Sequence, residues 1–401
     1  MSRTSDGEYF SKTLIDVEKG IFTEDWRISS SDFGIPVDWS VEKKRLHGGL
    51  SEDVDVITVD NGRLSYVIVP TRGMSIWKGE YDGNFLGWAS PVKDPVNPCF
   101  INLEARGGLG WLDGFNEWIV RCGLSSLGAP CIDTIIDNMG RRKDVALTLH
   151  GRIANIPASK VTVRIGLKPP YEILVEGTVY ERTMFGPNLA LKTSLSTAPG
   201  SNSLKIHDSI VNMRSIPDEM QILYHCNFGP PFLEEGARLI APVKRVAPRD
   251  SISSQDAKPF NIFDSPKNGF VEKVYFMELL ADKNDRTCVM LVNKSGDKAV
   301  SLSYSLTALP FFTLWKNTAA LEDGYVVGLE PGTSFPNPKP FERQRKRVTE
   351  LKPGAQYNIE ITLSVHIGKE YTRKVAETVQ DIAKDVKPEI CEKPIPDLCP
   401  Q

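Results

Sequence analysis

The sequence predicts an all-β chain, one large antiparallel β-sandwich with few short helices and a C-terminal helix. Three observations carry that expectation. Strand-forming runs recur along most of the length, turn sequences rich in Gly, Pro and Asn separate them, and only one segment keeps a helical period over several turns. Val54 to Val59 and Leu64 to Val69 flank Asp60-Asn61-Gly62, and Asn-Gly between two β-rich runs favours a hairpin because both residues tolerate positive φ. Pro169-Pro170 divides Val161 to Ile165 from Tyr171 to Tyr180, and Pro199-Gly200-Ser201 divides Leu189 to Thr197 from Leu204 to Val211. Cys288 to Val292, Val300 to Leu306 and Tyr357 to Ile367 continue the series. Tyr371 to Val386 is the helical segment, with Val375, Val379, Ile382 and Val386 on one face, and it is expected to pack on the sandwich. Near the N-terminus, Asp16 to Ile21 reads as a helical turn and Glu24 to Ile28 as a strand. Beyond Lys387 the Pro-rich tail reads as irregular and loosely attached. The expected division is an N-terminal extension over 1–49, the sandwich over 50–368, and the helix with its tail over 369–401.

Composition narrows the function classes. The chain has 401 residues, 41% of them hydrophobic and 25% charged, enough for a sizeable core, and its net charge is −3. Nucleic-acid binding needs clustered Lys and Arg to displace counterions, and the densest basic run, Arg343 to Arg347, is short and reads as a solvated loop. Seven cysteines, an odd number without CxxC pairs, argue against a disulfide framework and against a structural zinc site. No run approaches the roughly 18 to 20 apolar residues that cross a bilayer, and the N-terminus lacks the apolar core of a signal peptide. A cytoplasmic protein without a membrane or nucleic-acid partner is expected, and its oligomeric state is open. There is no GxSxG elbow, P-loop, HExxH or dinucleotide loop, which argues against Ser-type hydrolases, kinases and dehydrogenases, and no ligand cluster has the spacing of a metal site, so no metal is expected.

The stretch from Asn97 to Asp133 is long, rich in Gly and Trp, and poor in strand period, which marks a functional loop. Trp111, Phe115 and Trp118 stand beside Arg106, Asp113, Asn116, Glu117 and Arg121. Aromatic faces stack on the C–H face of a pyranose while amides and charged groups bond its hydroxyls, so a sugar site is one reading. The other is that the tryptophans plug one end of the sandwich. His150 ends the alternating run Ala146 to Leu149 and precedes Gly151-Arg152, where a pocket rim is expected. His225 sits where Ile222-Leu223-Tyr224 gives way to a rigid turn before Pro230-Pro231. His47, His207 and His366 read as structural. Glu330 ends an apolar strand before Pro331-Gly332 and is expected at a half-buried edge. There it is either a salt-bridged strand end or a carboxyl whose raised pKa suits proton transfer.

Three motifs taken together, LHGRIAN at Leu149 to Asn155, YHCNFG at Tyr224 to Gly229 and VVGLEPGT at Val326 to Thr333, resemble aldose 1-epimerases of the galactose-mutarotase-like superfamily. Ala105 to Leu124 is similar to an uncharacterised bacterial branch of it. The resemblance implies a supersandwich with a sugar cleft and cofactor-free ring opening. It implies an acid and a base on opposite sides of the O5–C1 unit: Glu330 takes the proton of the anomeric hydroxyl and His225 protonates the ring oxygen. His150 is implied as a sugar contact, Arg121 as the match to the family's arginine, and Glu272 as the nearest substitute for its sugar-binding aspartate. Trp111, Asn116, Arg152, Asn155 and Asn227 complete the expected substrate contacts. Arg152 stands where these enzymes commonly carry Gly, and Tyr224 where they carry Asn. Arg152 therefore either binds an acidic group on a modified sugar or pairs with a carboxylate such as Glu104. The competing readings are a non-catalytic carbohydrate-binding protein and, less favoured, a sugar lyase or glycosidase. A typical glycosidase needs a second carboxylate about 5 to 9.5 Å from the first, and Asp113, Glu117 and Glu272 are the candidates.

Overall fold

The computed structural model describes residues 2–3 and 8–400. Period-two alternation does what it predicts: along Ile173–Arg182 every second side chain is buried, and these face a second sheet. Among the described residues the strands form an 11-stranded sheet, a 14-stranded sheet and a separate two-stranded ribbon. Neighbouring strands pair antiparallel, except that Glu389–Ile390 joins Val243–Pro248 in parallel. One continuous apolar core, from Phe10 and Val163 on one sheet to Tyr224 and Leu329 on the other, fills the space between the two large sheets.

The Asn-Gly hairpin joins Val54–Asp60 to Leu64–Val69, with Gly62 at φ 89°. Asn61 also ties the sheets together, because its buried amide donates to Thr197 Oγ1 and to the carbonyls of Ala198 and Ser201 in the turn of the opposite sheet. The helix spans Lys369–Ala383 and buries Val379 against Met290 and Val292. Among the described residues no helix is long and apolar enough to cross a membrane.

Four local expectations change. Tyr9–Asp16 is a strand of the 11-stranded sheet, and a turn rather than a helical one follows it. The run before His150 ends at Leu147 and forms the ribbon with Cys131–Ile136, so His150 lies in a turn beyond it. The tail is anchored: Leu398 and Cys399 are buried against Phe276 and Phe335, and Asn337 donates to the Leu398 carbonyl. The basic run is what holds it. Arg345 and Arg347 donate to the carbonyls of Pro396 and Asp397, Arg347 also grips Glu342, and Arg343 chelates Asp133 and Glu219.

The stretch of fold that positions the site lies mid-sheet, over Lys273–Leu279, Phe311–Asn317, Val326–Gly332, Asp218–Phe228 and Ile119–Leu124, in that spatial order. Glu330 is therefore fully buried in a central strand that runs on through Pro331-Gly332, not at an edge.

Candidate active site

Strand parity decides which side chains meet. On Asp218–Phe228, Tyr224, Cys226 and Phe228 point into the inter-sheet core, so His225 and Asn227 point out of it. On Val326–Gly332, Val327 and Leu329 face the core, and Glu330 faces out. The register pairs Leu223 with Gly332 and Cys226 with Leu329, which sets His225 directly opposite Glu330 on the outer face. The ladder skips these two positions, where Pro331 has no N–H to give. His225 Nε2 and Glu330 Oε1 lie 3.1 Å apart. They lack hydrogen-bond geometry, and Glu330 Oε1 has no hydrogen-bond partner among the described residues.

Gly328 makes the room. A Cβ there would run into Glu330 Oε1 and His225 Cε1. Gly328→Ala is accordingly expected to push the two side chains apart and to slow any proton transfer between them and a bound ligand at least about tenfold, with circular dichroism unchanged. An unchanged rate would mean that the contact is dispensable.

The loop that covers this face is pinned from below. Arg72 and Glu117 form a buried ion pair, with Arg72 Nη2 2.8 Å from Glu117 Oε1, and Arg72 also donates to the Gly114 carbonyl and to Asn155 Oδ1. Trp88 Nε1 donates to the Glu117 carbonyl. Held in this way, Phe115 stands with its ring centroid 5.0 Å from that of His225, and Trp111 stands 4.7 Å from His150. Trp315, two residues along its strand from Thr313, packs edge-on to His225 at 5.3 Å. His150 takes a positive φ of 58°, and its backbone is locked by bonds to Gly123 and Gly128.

The result is a cavity of about 230 Å³ lined by Trp111, Phe115, His150, His225, Arg249, Glu272, Thr313, Trp315 and Glu330 among others. Three buried polar atoms of its lining residues have no hydrogen-bond partner among the described residues: Trp111 Nε1, His150 Nδ1 and Glu330 Oε1. The other charged groups of the lining are mutually engaged. Glu272 accepts from Arg249 at 3.0 Å and from Trp315 Nε1 at 2.7 Å, and Arg249 also holds Asp250.

Burial sets the proton affinities. It pulls His225 down to about 4, against the Asn227 hydrogen bond that raises it. Burial also holds His150 well below its ordinary value, helped by His225. Glu330 is pushed well above the carboxylate range by burial and then by the charge of Glu272, with Arg249 opposing. A histidine depressed in the folded state contributes stability that is present above its ordinary value of 6.5 and lost as pH falls through about 4. For His225 this is worth about 3 kcal/mol. Denaturant unfolding followed from neutral pH down to about 4 is expected to show a shallower loss in His225→Gln than in the native chain. Parallel curves would contradict this.

Of the site residues expected from the sequence, His150, His225, Glu330, Trp111 and Glu272 line the cavity. The others do not. Arg121 lies one residue out of phase: opposite Tyr224 in the register, it points into the inter-sheet core and chelates Asp208. Asn116 donates to the Asp94 carbonyl, Asn155 serves Arg72, and Asn227 braces His225 from behind. Arg152 is exposed and off the wall. Trp118 is a plug, packed in the core against Phe228. Arg106 and Asp113 pair with each other at the surface. His225 and Glu330 are also side by side on one wall, not on opposite sides of a ring. Trp315, Thr313 and Arg249 also line the cavity, and no local pattern marks them: the alternation in Phe311–Asn317 gives Thr313 and Trp315 a common face but not the sheet neighbour that makes it a site.

Comparison with known proteins agrees with the fold. The model of the family described as "Domain of unknown function (DUF4432)" matches residues 51–365. A solved structure from Klebsiella pneumoniae subsp. pneumoniae MGH 78578, named as a "putative aldose 1-epimerase", is 39% identical over 96% of this chain and 99% of its own, with a TM-score of 0.91. A galactose mutarotase-like protein from Clostridium acetobutylicum is 18% identical with a TM-score of 0.53, over 82% of this chain and 98% of its own. A galactose 1-epimerase from Lactobacillus acidophilus NCFM is 12% identical with a TM-score of 0.51, over 82% of this chain and 99% of its own. The last two show a shared fold and nothing more. No curated protein matches the chain. With its register, its core and these likenesses together, the chain belongs to the DUF4432 family, within the galactose-mutarotase-like (aldose 1-epimerase) superfamily.

Proposed function

We propose that this protein binds a single sugar ring in the cavity and interconverts its anomers by acid–base ring opening, acting in carbohydrate metabolism in the cytoplasm, the compartment its scattered cysteines favour. The observation that carries the reading is the His225–Glu330 contact of 3.1 Å on one wall of an aromatic-lined cavity. Ring opening moves two protons, one off the anomeric O1 and one onto the ring O5. Both oxygens are bonded to C1, so adjacent proton sites on the protein suit them, and an acid and base on opposite sides are not required. His150 and Trp111 carry unpartnered N atoms suited to the remaining hydroxyls, and the faces of Phe115 and Trp315 suit the C–H surface of the ring. At about 230 Å³ the cavity is below the usual range of roughly 300 to 1,000 Å³ for larger ligands, which favours a monosaccharide.

The wall also bears on charge. Arg249, the guanidinium that lines the cavity, is engaged by Asp250 and Glu272, and Arg152 lies outside, so an uncharged sugar is favoured over an acidic one. Polarimetry of freshly dissolved aldoses and uronic acids tests the reading. Faster mutarotation of at least one uncharged aldose is expected, with uronic acids at least about tenfold slower, because the guanidinium that lines the cavity is already engaged and leaves a sugar carboxylate uncompensated. Equal rates would remove the charge argument, and no acceleration of any sugar would remove the enzyme.

A further inference from the structure

The segment from Glu389 to Cys399 is fastened beside the cavity at two points. Glu389 and Ile390 pair with Arg245 and Val246, and the Cys391 N–H donates to the Val246 carbonyl. Further on, Cys399 Sγ donates to the carbonyl of Pro248 at 3.4 Å, and Asn337 Nδ2 donates to that of Leu398 at 2.9 Å. Pro248 precedes Arg249 and Asn337 follows Pro336, and both Arg249 and Pro336 line the cavity. Each anchor is therefore one residue from the lining.

The side chains reach the same place. Leu398 and Cys399 are buried in one cluster with Ala247, Val274, Phe276 and Phe335, and Trp315 packs on that cluster. Val274 and Trp315 stand opposite each other in the register of their two strands, and both line the cavity. One apolar cluster thus carries the C-terminal segment and two residues of the cavity wall. Interiors are close-packed, so a side chain removed from such a cluster is felt by its neighbours. Polar bonds fix the backbone over it: Arg345 and Arg347 donate to the carbonyls of Pro396 and Asp397, and Arg245 pairs with Asp397 at 3.2 Å. His225 and Glu330 lie on other strands and outside this cluster. They also fall within residues 51–365, the part that the family model matches, whereas the segment does not.

We propose that residues 389–399 are a strap backing one side of the sugar cavity, and that Leu398 is a positioning residue acting through Val274 and Trp315 on how closely a sugar ring is held. This role rests on the anomer-interconverting reading above and adds the part of the chain that sets the fit. Shortening Leu398 leaves a void into which the wall relaxes only partly. The ring is then held less well in ground state and transition state alike, which raises KM and spares kcat.

Leu398→Ala is expected to raise KM for a turned-over sugar at least about tenfold while kcat changes less than about twofold. Leu398→Met, which refills the volume, is expected to restore KM. Val379→Ala is the control, because it opens a void under the terminal helix and away from the cavity. It is expected to lower stability and leave KM alone. An unchanged KM in Leu398→Ala, or an equal rise in Val379→Ala, would overturn the role of the strap. Fluorine NMR of protein labelled with 5-fluorotryptophan reads the wall without any sugar. The Trp315 signal, assigned by its absence in Trp315→Phe, is expected to shift in Leu398→Ala, and that of Trp118, in the inter-sheet core, to stay. A fixed Trp315 signal would overturn the strap whatever KM does. A shifted signal in a protein that turns over no sugar would keep the strap as backing of the wall and overturn the reading on which its effect on sugar rests.

Discussion

Glu330→Gln is expected to slow anomer interconversion by about 10²- to 10⁴-fold, the usual loss when one positioned acid or base is removed. The substitution keeps the shape of the side chain. Because Oε1 has no hydrogen-bond partner among the described residues, no bond to it is broken by the change, and the fold is expected to persist. What is lost is the group beside His225 that can take up and release a proton. Stability should move in a characteristic way as well. A carboxyl whose folded pKa is raised contributes stability that is present below its ordinary 4.5 and lost as pH rises through the folded value. Replacing it with glutamine removes that alkaline penalty. Polarimetry for rate and denaturant unfolding at neutral and alkaline pH check both halves. Full activity in Glu330→Gln would remove this residue from the reaction.

Arg121→Met should do the reverse, costing about 3 to 5 kcal/mol of stability while leaving sugar binding in the folded fraction intact. Arg121 donates to both oxygens of Asp208, to the Met74 carbonyl and to Thr193 Oγ1, all in the core between the sheets. Its removal leaves a buried aspartate with the Tyr224 hydroxyl as its remaining side-chain donor. Taking away one partner of a buried pair strands the other charge, and replacing both with apolar side chains avoids that cost, so Arg121→Met with Asp208→Leu is expected to recover much of the loss. Chemical denaturation gives the stabilities, and KM for a turned-over sugar gives the second readout. A raised KM with unchanged stability would return Arg121 to the sugar site.

These two residues also show where the sequence is legible. Hairpin chemistry is local, so Asn61-Gly62 and the turns around Pro169-Pro170 and Gly200 announce themselves, and alternation then fixes an all-β chain. His225 and Glu330 are legible as motifs. Their contact is not, because it depends on the register between Asp218–Phe228 and Val326–Gly332, strands set side by side by long-range pairing. Arg121 fails for the same reason by one residue: Val120 shares the outer face with His225, while Arg121 turns inward with Tyr224. Trp315 and Thr313 reach the cavity from Phe311–Asn317, whose place next to Val326–Gly332 no local pattern encodes. The tail looked loose because proline suppresses periodicity, yet Leu398 and Cys399 are held by packing and by arginines distant in sequence.

The most direct test of the account is exchange spectroscopy of sugar anomers, in which magnetisation passing between α and β C1–H signals is measured with native protein over a panel of uncharged aldoses. The account predicts accelerated exchange for at least one of them, abolished in Glu330→Gln and in His225→Asn. Tight binding of a sugar in the cavity with no acceleration of its anomer exchange would contradict it, leaving a carbohydrate-binding protein on the same scaffold.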